Sequence, residues 1–90
     1  MAYLLICKDK KNSLKKRLSV RNEHLNYIKK FEKKLILAGP ILDKTEKSRG
    51  SIIVLDFDNL NDVNVFIKND PYSKIKLFDK IIIHKFKKVF

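Results

Sequence analysis

Four short aliphatic runs and two helical periodicities, in a fixed order along the chain, limit the folds that this sequence can adopt. The runs are typical of β-strands, and the two longer stretches between them repeat apolar residues at helical spacings. The predicted strands are Tyr3–Lys8, Leu35–Ala38, Ile52–Phe57 and Phe78–Lys87, and the predicted main helices are Val20–Lys34 and 60–69. Each half is then a strand–helix–strand unit with a right-handed crossover. The sequence therefore predicts an α+β chain of the ferredoxin-like βαββαβ kind, with a four-stranded antiparallel sheet.

Local signals in the first half leave some boundaries open. Ser13 and Ser19 are both candidate helix N-caps, so the segment between them is either an additional helical turn or a loop. After the second strand, Gly39-Pro40 indicates an irregular corner, because proline cannot donate to a strand ladder and glycine tolerates unusual backbone angles. We expect the polar stretch Asp43–Arg49 to be a loop.

The second helix has clear signals at both ends. Asn59 is its predicted N-cap, and Asp62 follows three residues later, where a carboxylate meets the free N–H groups of the first turn. Asp70 precedes Pro71, and the residue before a proline is disfavoured in helical geometry. The helix is therefore predicted to stop near Asn69.

The two helices are predicted to cover only one face of the sheet. The strands are nevertheless apolar on both sides, as Ile52–Leu55 and Ile81–Ile83 indicate. A chain of 90 residues forms a single small domain, here 1–90, with a thin core. We therefore expect the open sheet face to be covered by a second copy, giving a homodimer.

The formal net charge of +11, from 21 basic and 10 acidic residues, is the dominant feature of the composition. Such a charge is compatible with nucleic-acid binding. The excess is nearly all lysine, however, and only three arginines are present, at Arg17, Arg21 and Arg49. We interpret the lysines as a solvated surface, of the kind an AT-rich genome also produces, and regard nucleic-acid binding as an unfavoured alternative.

Cysteine, histidine and glycine positions exclude several classes of site. Cys7 is the only cysteine and lies in an apolar strand, which predicts a buried structural residue in a reducing cytoplasm. The first apolar run is too short to span a membrane and lacks a basic leader. Gly39 and Gly50 are the only glycines, so no phosphate-binding loop is expected, and the histidines do not form a metal-ligand cluster. We expect no metal and no cofactor.

The two histidines have different predicted environments. His84 lies in the middle of the last strand between apolar residues, which predicts a buried or interface histidine. His24 follows Arg21 by three residues, so both side chains project from adjacent turns of one helix face. His24 is therefore the candidate for a chemical role.

Several short motifs resemble, in order and spacing, those of the YCII family. They are Arg21-Asn22-Glu23-His24-Leu25, Ala38-Gly39-Pro40, Gly50-Ser51 and Asp70-Pro71-Tyr72, followed by the closing segment Phe86-Lys87-Lys88-Val89-Phe90. The resemblance spans nearly the whole chain and implies a ferredoxin-like fold of the dimeric α/β-barrel type. After Tyr72 the family usually continues through a small residue and a glycine, whereas this chain has Ile75 and Lys76. One wall of the pocket is therefore expected to differ.

The same resemblance implies an active site with a histidine–aspartate dyad, which falls on His24 as the base and Asp70 as the group that orients it. The implied substrate-binding residues are Arg21, Gly39, Pro40, Ser51, Pro71 and Tyr72. The implied chemistry is proton transfer on a small anionic or phenolic molecule, as in a dehydrochlorinase of the family. Arg49 and Lys76 are expected to add positive charge nearby.

Two alternatives to this site remain open. His24 and Asp70 could serve only to tie the first helix to the end of the second, since structural ion pairs are also common. The protein could also be a non-catalytic small-molecule-binding or accessory dimeric module. Turnover of a ligand, rather than its binding, distinguishes the enzyme from the module.

Overall fold

The computed structural model describes all residues from 1 to 90 and has the predicted order of strands and helices. The strands are β1 (Ala2–Asp9), β2 (Leu35–Leu42), β3 (Ser48–Leu55) and β4 (Phe78–Phe86), and the helices are α1 (Leu14–Ser19), α2 (Arg21–Lys29), α3 (Leu60–Asn69) and α4 (Pro71–Lys74). The sheet has the order β2-β3-β1-β4, and all neighbouring strands are antiparallel. The predicted ferredoxin-like α+β fold is confirmed.

The core lies between one face of this sheet and the helices. Successive strand side chains point to opposite faces, so alternate residues of β1 and β3 turn toward α2 and α3. The buried cluster contains Tyr3, Leu5, Cys7, Ile28, Ile53, Leu55, Phe57, Val63 and Phe66. The predicted burial of Cys7 is confirmed, since 1% of the residue is exposed.

The first helical region differs from the prediction of one helix over Val20–Lys34. Segment 14–19 is a separate helix, and the chain leaves helical geometry at Val20, which has φ −117° and ψ 7°. Helix α2 then ends at Lys29, and the next five residues form turns in which the N–H of Phe31 donates to the carbonyl of Ile28. These turns bring Phe31 into contact with the core directly before β2 begins. The predicted apolar stripe is only partly correct, because Leu18 and Leu25 are exposed, whereas Arg17, His24 and Ile28 are buried.

Ser13 and Ser19, the two candidate N-caps, do not cap a helix with their side chains. Ser13 stands at the N-cap position of α1, but its hydroxyl donates to the Lys11 carbonyl instead of accepting from the helix. Ser19 is the last residue of α1, and its hydroxyl donates to the Lys16 carbonyl. The prediction for the second helix is confirmed, because the Asn59 side chain accepts from the N–H of Asp62 at 2.9 Å.

The corner predicted at Gly39-Pro40 is wrong, since β2 continues through both residues to Leu42. Strand β2 lies at the edge of the sheet and pairs only with β3, where Pro40 stands opposite Ser51. An edge strand tolerates proline because the missing N–H can face solvent. The loop between the two strands is shorter than the predicted Asp43–Arg49, because β3 already begins at Ser48.

The tight connection between β2 and β3 is organised by Asp43. One carboxylate oxygen accepts from the N–H groups of Thr45 and Lys47 and from the Thr45 hydroxyl, while the other accepts from Arg49 at 2.7 Å. These hydrogen bonds hold the pKa of Asp43 well below its usual range. The hairpin therefore has a local anchor that does not depend on the core.

The second face of the sheet is apolar and has no helix over it. The side chains that share this face are Leu4, Ile6, Leu37, Ile41, Ile52, Val54, Ile82, His84 and Phe86. Leu37 and Ile52 are exposed at 52% and 37%. His84 is also exposed, so the chain by itself does not bury it as predicted. No helix of the protein combines the length and apolarity that crossing a membrane requires.

The two glycines offer a test of this packing. A Cβ at Gly50 would overlap the backbone carbonyl oxygen of Cys7, whereas a Cβ at Gly39 would meet no atom within 4 Å. We expect Gly50→Ala to lower the free energy of unfolding by about 1–3 kcal/mol or more, because the obstructing atom belongs to a central strand. Gly39→Ala should change it by less than about 1 kcal/mol. Urea denaturation measures both values, and equal effects would contradict the described packing of β1 against β3.

Candidate active site

A cavity of about 220 Å³ opens beside helices α1 and α2 and strands β2 and β3. Its apolar wall consists of Leu25, Ile28, Ala38, Pro40 and Ile53. Its polar wall consists of Arg17, Arg21, His24, Ser48, Ser51 and Tyr72, and Gly39 contributes backbone. A concave site in which apolar side chains surround convergent polar groups is the usual character of a small-molecule site.

Most of the predicted site residues meet at this cavity. Arg21, His24, Gly39, Pro40, Ser51 and Tyr72 all line it. Asp70 does not line the cavity but bonds to His24 from behind. Pro71 also lies off the cavity, at the first position of α4, where a proline suits a helix start.

His24 and Asp70 form a short, buried hydrogen bond. The His24 Nδ1 atom lies 2.8 Å from Asp70 Oδ1, and the two side chains are only 9% and 2% exposed. An ionised carboxylate can only accept hydrogen bonds, so Nδ1 carries the proton and donates it. The other ring nitrogen, Nε2, has no hydrogen-bond partner within the chain and is free to exchange a proton with a ligand.

Local sequence signals explain how Asp70 reaches this position. It ends α3, takes an extended conformation with ψ 128° before Pro71, and caps α4 by accepting from the N–H of Tyr72 at 3.0 Å. His24 lies one turn into α2, on the same face as Arg21 and Ile28. The helix stop at Asp70 thus also directs its carboxylate at His24.

Arg17 is a site residue that the sequence analysis missed. Its Nε and one terminal nitrogen donate to the two Asp9 oxygens at 2.7 and 3.0 Å, and that terminal nitrogen also donates to Ser51 Oγ at 2.8 Å. Both Arg17 and Asp9 side chains are about 95% buried, with 5% and 4% exposed. The spacing of Arg17, Arg21 and His24, at i, i+4 and i+7, was the available signal that the three share one side of the helical region.

Tyr72 contacts both basic side chains of the cavity. Its ring stacks on the His24 imidazole with centroids 3.9 Å apart and planes 13° apart. The Arg17 guanidinium carbon lies 4.6 Å from the centroid of the same ring. Burial raises the pKa of the Tyr72 hydroxyl, although Arg17 partly opposes this, so the hydroxyl is protonated at neutral pH.

Other expected contributors do not join the site. Arg49 pairs with Asp43 and lines a separate polar groove with Asp9 and residues 10–12. Lys76 is not among the residues around the cavity. Burial raises the pKa of the Cys7 thiol to about 12, so Cys7 is not a nucleophile at neutral pH, in line with the structural role predicted for it.

The sequence matches a known family over nearly its whole length. The YCII-related domain model matches residues 1–87. An uncharacterized protein of Haemophilus influenzae (strain Rd) is 35% identical over 98 aligned positions, and protein YciI of Escherichia coli O6:H1 is 33% identical over 98. Both alignments cover the whole of this chain and the whole of the relative.

Solved structures with a similar fold were also found. The 5-chloro-2-hydroxyhydroquinone dehydrochlorinase of Burkholderia phenoliruptrix AC1100, in complex with 2,5-dihydroxybenzoquinone, superposes with a TM-score of 0.90 at 28% identity. The match covers 97% of this chain and 94% of that one. A conserved protein from Methanosarcina mazei Go1 matches with a TM-score of 0.67 at 15% identity over 97% and 94% of the two chains, which supports the fold alone.

The hydrogen bond between His24 and Asp70 predicts the tautomer of the neutral ring. Nδ1 should carry the proton in the wild type, because the carboxylate accepts only, and ¹⁵N shifts of the ring nitrogens report this. Asp70→Asn can present either an oxygen or an N–H to the ring, so the population protonated at Nε2 should rise. His84 serves as the comparison within the same spectrum. A wild-type His24 protonated mainly at Nε2 would contradict the hydrogen bond.

Proposed function

The chain belongs to the YCII family, and from this premise we propose that it is a cytoplasmic, homodimeric proton-transfer enzyme acting on a small anionic or phenolic molecule. The observation that carries the proposal is the buried His24–Asp70 hydrogen bond at the wall of a cavity. A histidine whose second nitrogen is free, and whose first is held by a carboxylate, is the usual arrangement of a general base.

His24 is the base in this proposal. Asp70 holds Nδ1–H, so Nε2 accepts a proton from an acidic O–H or C–H of the bound molecule. The ring becomes an imidazolium that keeps its hydrogen bond to Asp70, and the substrate keeps the bonding electrons as an anion. In a chlorinated substrate this electron pair forms a new π bond as the C–Cl bond breaks and chloride leaves, and the proton then passes from His24 to solvent, so that the net loss is HCl. In a substrate without a leaving group the proton returns to the substrate.

Arg17 and Ser51 are the groups best arranged to hold the anion. Asp9 fixes the Arg17 guanidinium through two hydrogen bonds, and the other terminal nitrogen has no partner within the chain. Ser51 Oγ accepts from Arg17, so its own proton is available to a ligand oxygen. Donors that are positioned before the charge develops stabilise it without reorganisation.

The charges around the cavity favour an anionic ligand. Asp9 offsets Arg17, and Asp70 offsets the imidazolium that proton transfer forms. Arg21 lines the cavity and has no carboxylate partner. Its charge is therefore uncompensated by the protein and is available to an acidic substrate.

The size of the cavity favours a molecule with one ring. A cavity of about 150 Å³ accommodates benzene, so the space here suits a single ring with a few substituents. The dehydrochlorinase similar to this chain is named for a single-ring chlorinated hydroquinone and was solved with a dihydroxybenzoquinone. Both compounds are therefore suitable probes for this protein.

Chloride release from 5-chloro-2-hydroxyhydroquinone tests the proposed chemistry. We expect release by the wild type, and a fall in kcat of about 10²–10⁴-fold in His24→Ala and of at least about tenfold in Asp70→Asn, because the base is lost or no longer oriented. The matched controls are Asn26→Ala, on the exposed side of the same helix, and Asp58→Asn, an exposed aspartate. Both should keep the wild-type kcat.

Binding of 2,5-dihydroxybenzoquinone, followed by calorimetry, separates this proposal from its alternatives. Binding without turnover of the chlorinated compound by the wild type would favour the small-molecule-binding module for this ligand class. Turnover that persists in His24→Ala would exclude His24 as the base. Absence of both binding and turnover would reject single-ring phenolic substrates.

The homodimer in this proposal forms through the open face of the sheet. This face carries apolar side chains on all four strands without any covering element, including Leu4, Ile52, Ile82 and Phe86. A contiguous apolar surface of this kind is unfavourable in water. Two copies packed through these faces would bury it and would also enclose His84.

Sedimentation velocity at micromolar concentration tests the dimer. We expect a dimer for the wild type and a monomer for Ile52→Asp, because the substitution would bury an unpaired charge in the sheet interface. Leu60→Asp is the matched control, since Leu60 is an exposed apolar residue on α3, with 48% exposure against 37% for Ile52. A wild type that sediments only as a monomer would show that this face is not a homodimer interface.

A further inference from the structure

Three contacts of different kinds meet at Tyr72. Its ring stacks on His24, the guanidinium of Arg17 lies over the same ring, and its backbone N–H donates to Asp70 Oδ1. The oxygen that receives this N–H is the one that also bonds to His24 Nδ1. One residue therefore contacts the base, the carboxylate behind it and the nearest anion-binding group.

Tyr72 is not simply another core aromatic. The residue is 1% exposed, yet it lies outside the buried cluster that Phe57 and Phe66 share. The aromatic pairs of that cluster are tilted or edge-to-face, with interplanar angles from 38° to 79°. The near-parallel arrangement occurs only between Tyr72 and His24. Among aromatic residues, its ring meets the core only through an edge-to-face contact with Phe78, with centroids 6.0 Å apart, whereas its face is turned to the site.

The two basic groups on this ring are each fixed by a carboxylate of their own. Arg17 is held by Asp9, and His24 is held by Asp70. The carboxylates fix the hydrogen-bonding nitrogens, but the single hydrogen bond of His24 still allows the plane of its imidazole to tilt. Contact with a flat aromatic surface removes that freedom, and the negative π face also attracts a cation.

We propose that Tyr72 is the positioning residue of the site: its ring keeps the His24 imidazole in the plane that aims Nε2 at the cavity, stabilises the imidazolium formed by proton transfer, and holds the Arg17 guanidinium against its π system. The catalytic part of this proposal rests on the proposed function, whereas the positioning of the two side chains does not. The ring carries the role, and the hydroxyl is not required for it.

Variants at position 72 distinguish the effect of the aromatic ring from the effects of the hydroxyl and of side-chain volume. Tyr72→Phe keeps the aromatic face, Tyr72→Leu removes it, and Tyr72→Met fills the volume with a flexible chain if the leucine variant does not fold. Tyr27→Leu is the matched control, because Tyr27 is a partly buried tyrosine on α2 whose ring contacts Phe31 and Phe66 but not His24. It reports the effect of losing an aromatic ring from the packing, together with the hydrogen bond that the Tyr27 hydroxyl donates to the Phe66 carbonyl at 2.8 Å.

The first readout needs no substrate: the solvent exchange rates of His24 Nδ1–H and Arg17 Nε–H, measured by NMR. We expect both rates to rise by about tenfold or more in Tyr72→Leu or Tyr72→Met, because the stack and the cation–π contact are lost. They should stay within about twofold of the wild type in Tyr72→Phe and Tyr27→Leu. Unchanged rates in the leucine or methionine variant would overturn the proposal.

The second readout is the separation of kcat from KM in chloride release from 5-chloro-2-hydroxyhydroquinone. Tyr72→Leu should lower kcat by about tenfold or more, and Tyr72→Phe should restore it, since the aromatic face favours the imidazolium. A loss in Tyr72→Phe as large as that in Tyr72→Leu would assign the role to the hydroxyl and overturn the proposal. If the wild type releases no chloride, the proposed function fails for this substrate, and the exchange rates alone still decide the positioning role.

Discussion

A single carboxylate oxygen, Oδ1 of Asp70, joins the two halves of this domain. It accepts a hydrogen bond from His24 in α2, 46 residues away, and another from the N–H of Tyr72 in α4. Asp70 also follows the last residue of α3 and is the N-cap of α4. The same residue therefore ends one helix, begins the next and binds the imidazole of a helix in the other half. Removing one member of a buried pair is strongly destabilising, because it leaves the other charge without compensation. Here the interaction that forms the candidate site is also an interaction that closes the fold.

The buried polar residues point to chemistry rather than to stability. Five polar or charged residues are buried, at Ser13, Arg17, His24, Ser51 and Asp70, and the side chain of Asp9 is buried with them. All of these except Ser13 contact or support the cavity. Replacing buried ion pairs by apolar side chains of similar volume is often neutral or stabilising. A small domain with a thin core would therefore gain little by keeping two such pairs unless they served a ligand.

Much of the fold followed from short-range signals in the sequence. The four strands were visible as aliphatic runs, and Asn59, Asp62 and Asp70-Pro71 set both ends of α3 because caps and proline act within a few residues. The interruption at Val20 was not visible, since it does not disturb the apolar periodicity. The approach of Asp70 to His24 came only from resemblance to a family, because no local rule specifies contact between residues so distant in the chain. The contacts of Arg17 were unpredictable for the same reason, since its partners Asp9 and Ser51 belong to two different strands, although its helical spacing from Arg21 and His24 was visible.

The position of β2 at the edge of the sheet explains why the corner predicted at Gly39-Pro40 was wrong, and it also explains how the cavity is lined. In a central strand, Pro40 would remove a hydrogen bond from the ladder. The backbone at Gly39 would also be covered by a strand on each side. At the edge, both residues are tolerated, and together with Ala38 they line the cavity. A Cβ at Gly39 would meet open space, so glycine there is not required by packing within the chain. Gly39 stands opposite Ile52, so the side chain it lacks would project from the open face of the sheet. Only its backbone reaches the cavity, between Ala38 and Pro40, whose side chains point toward the helices.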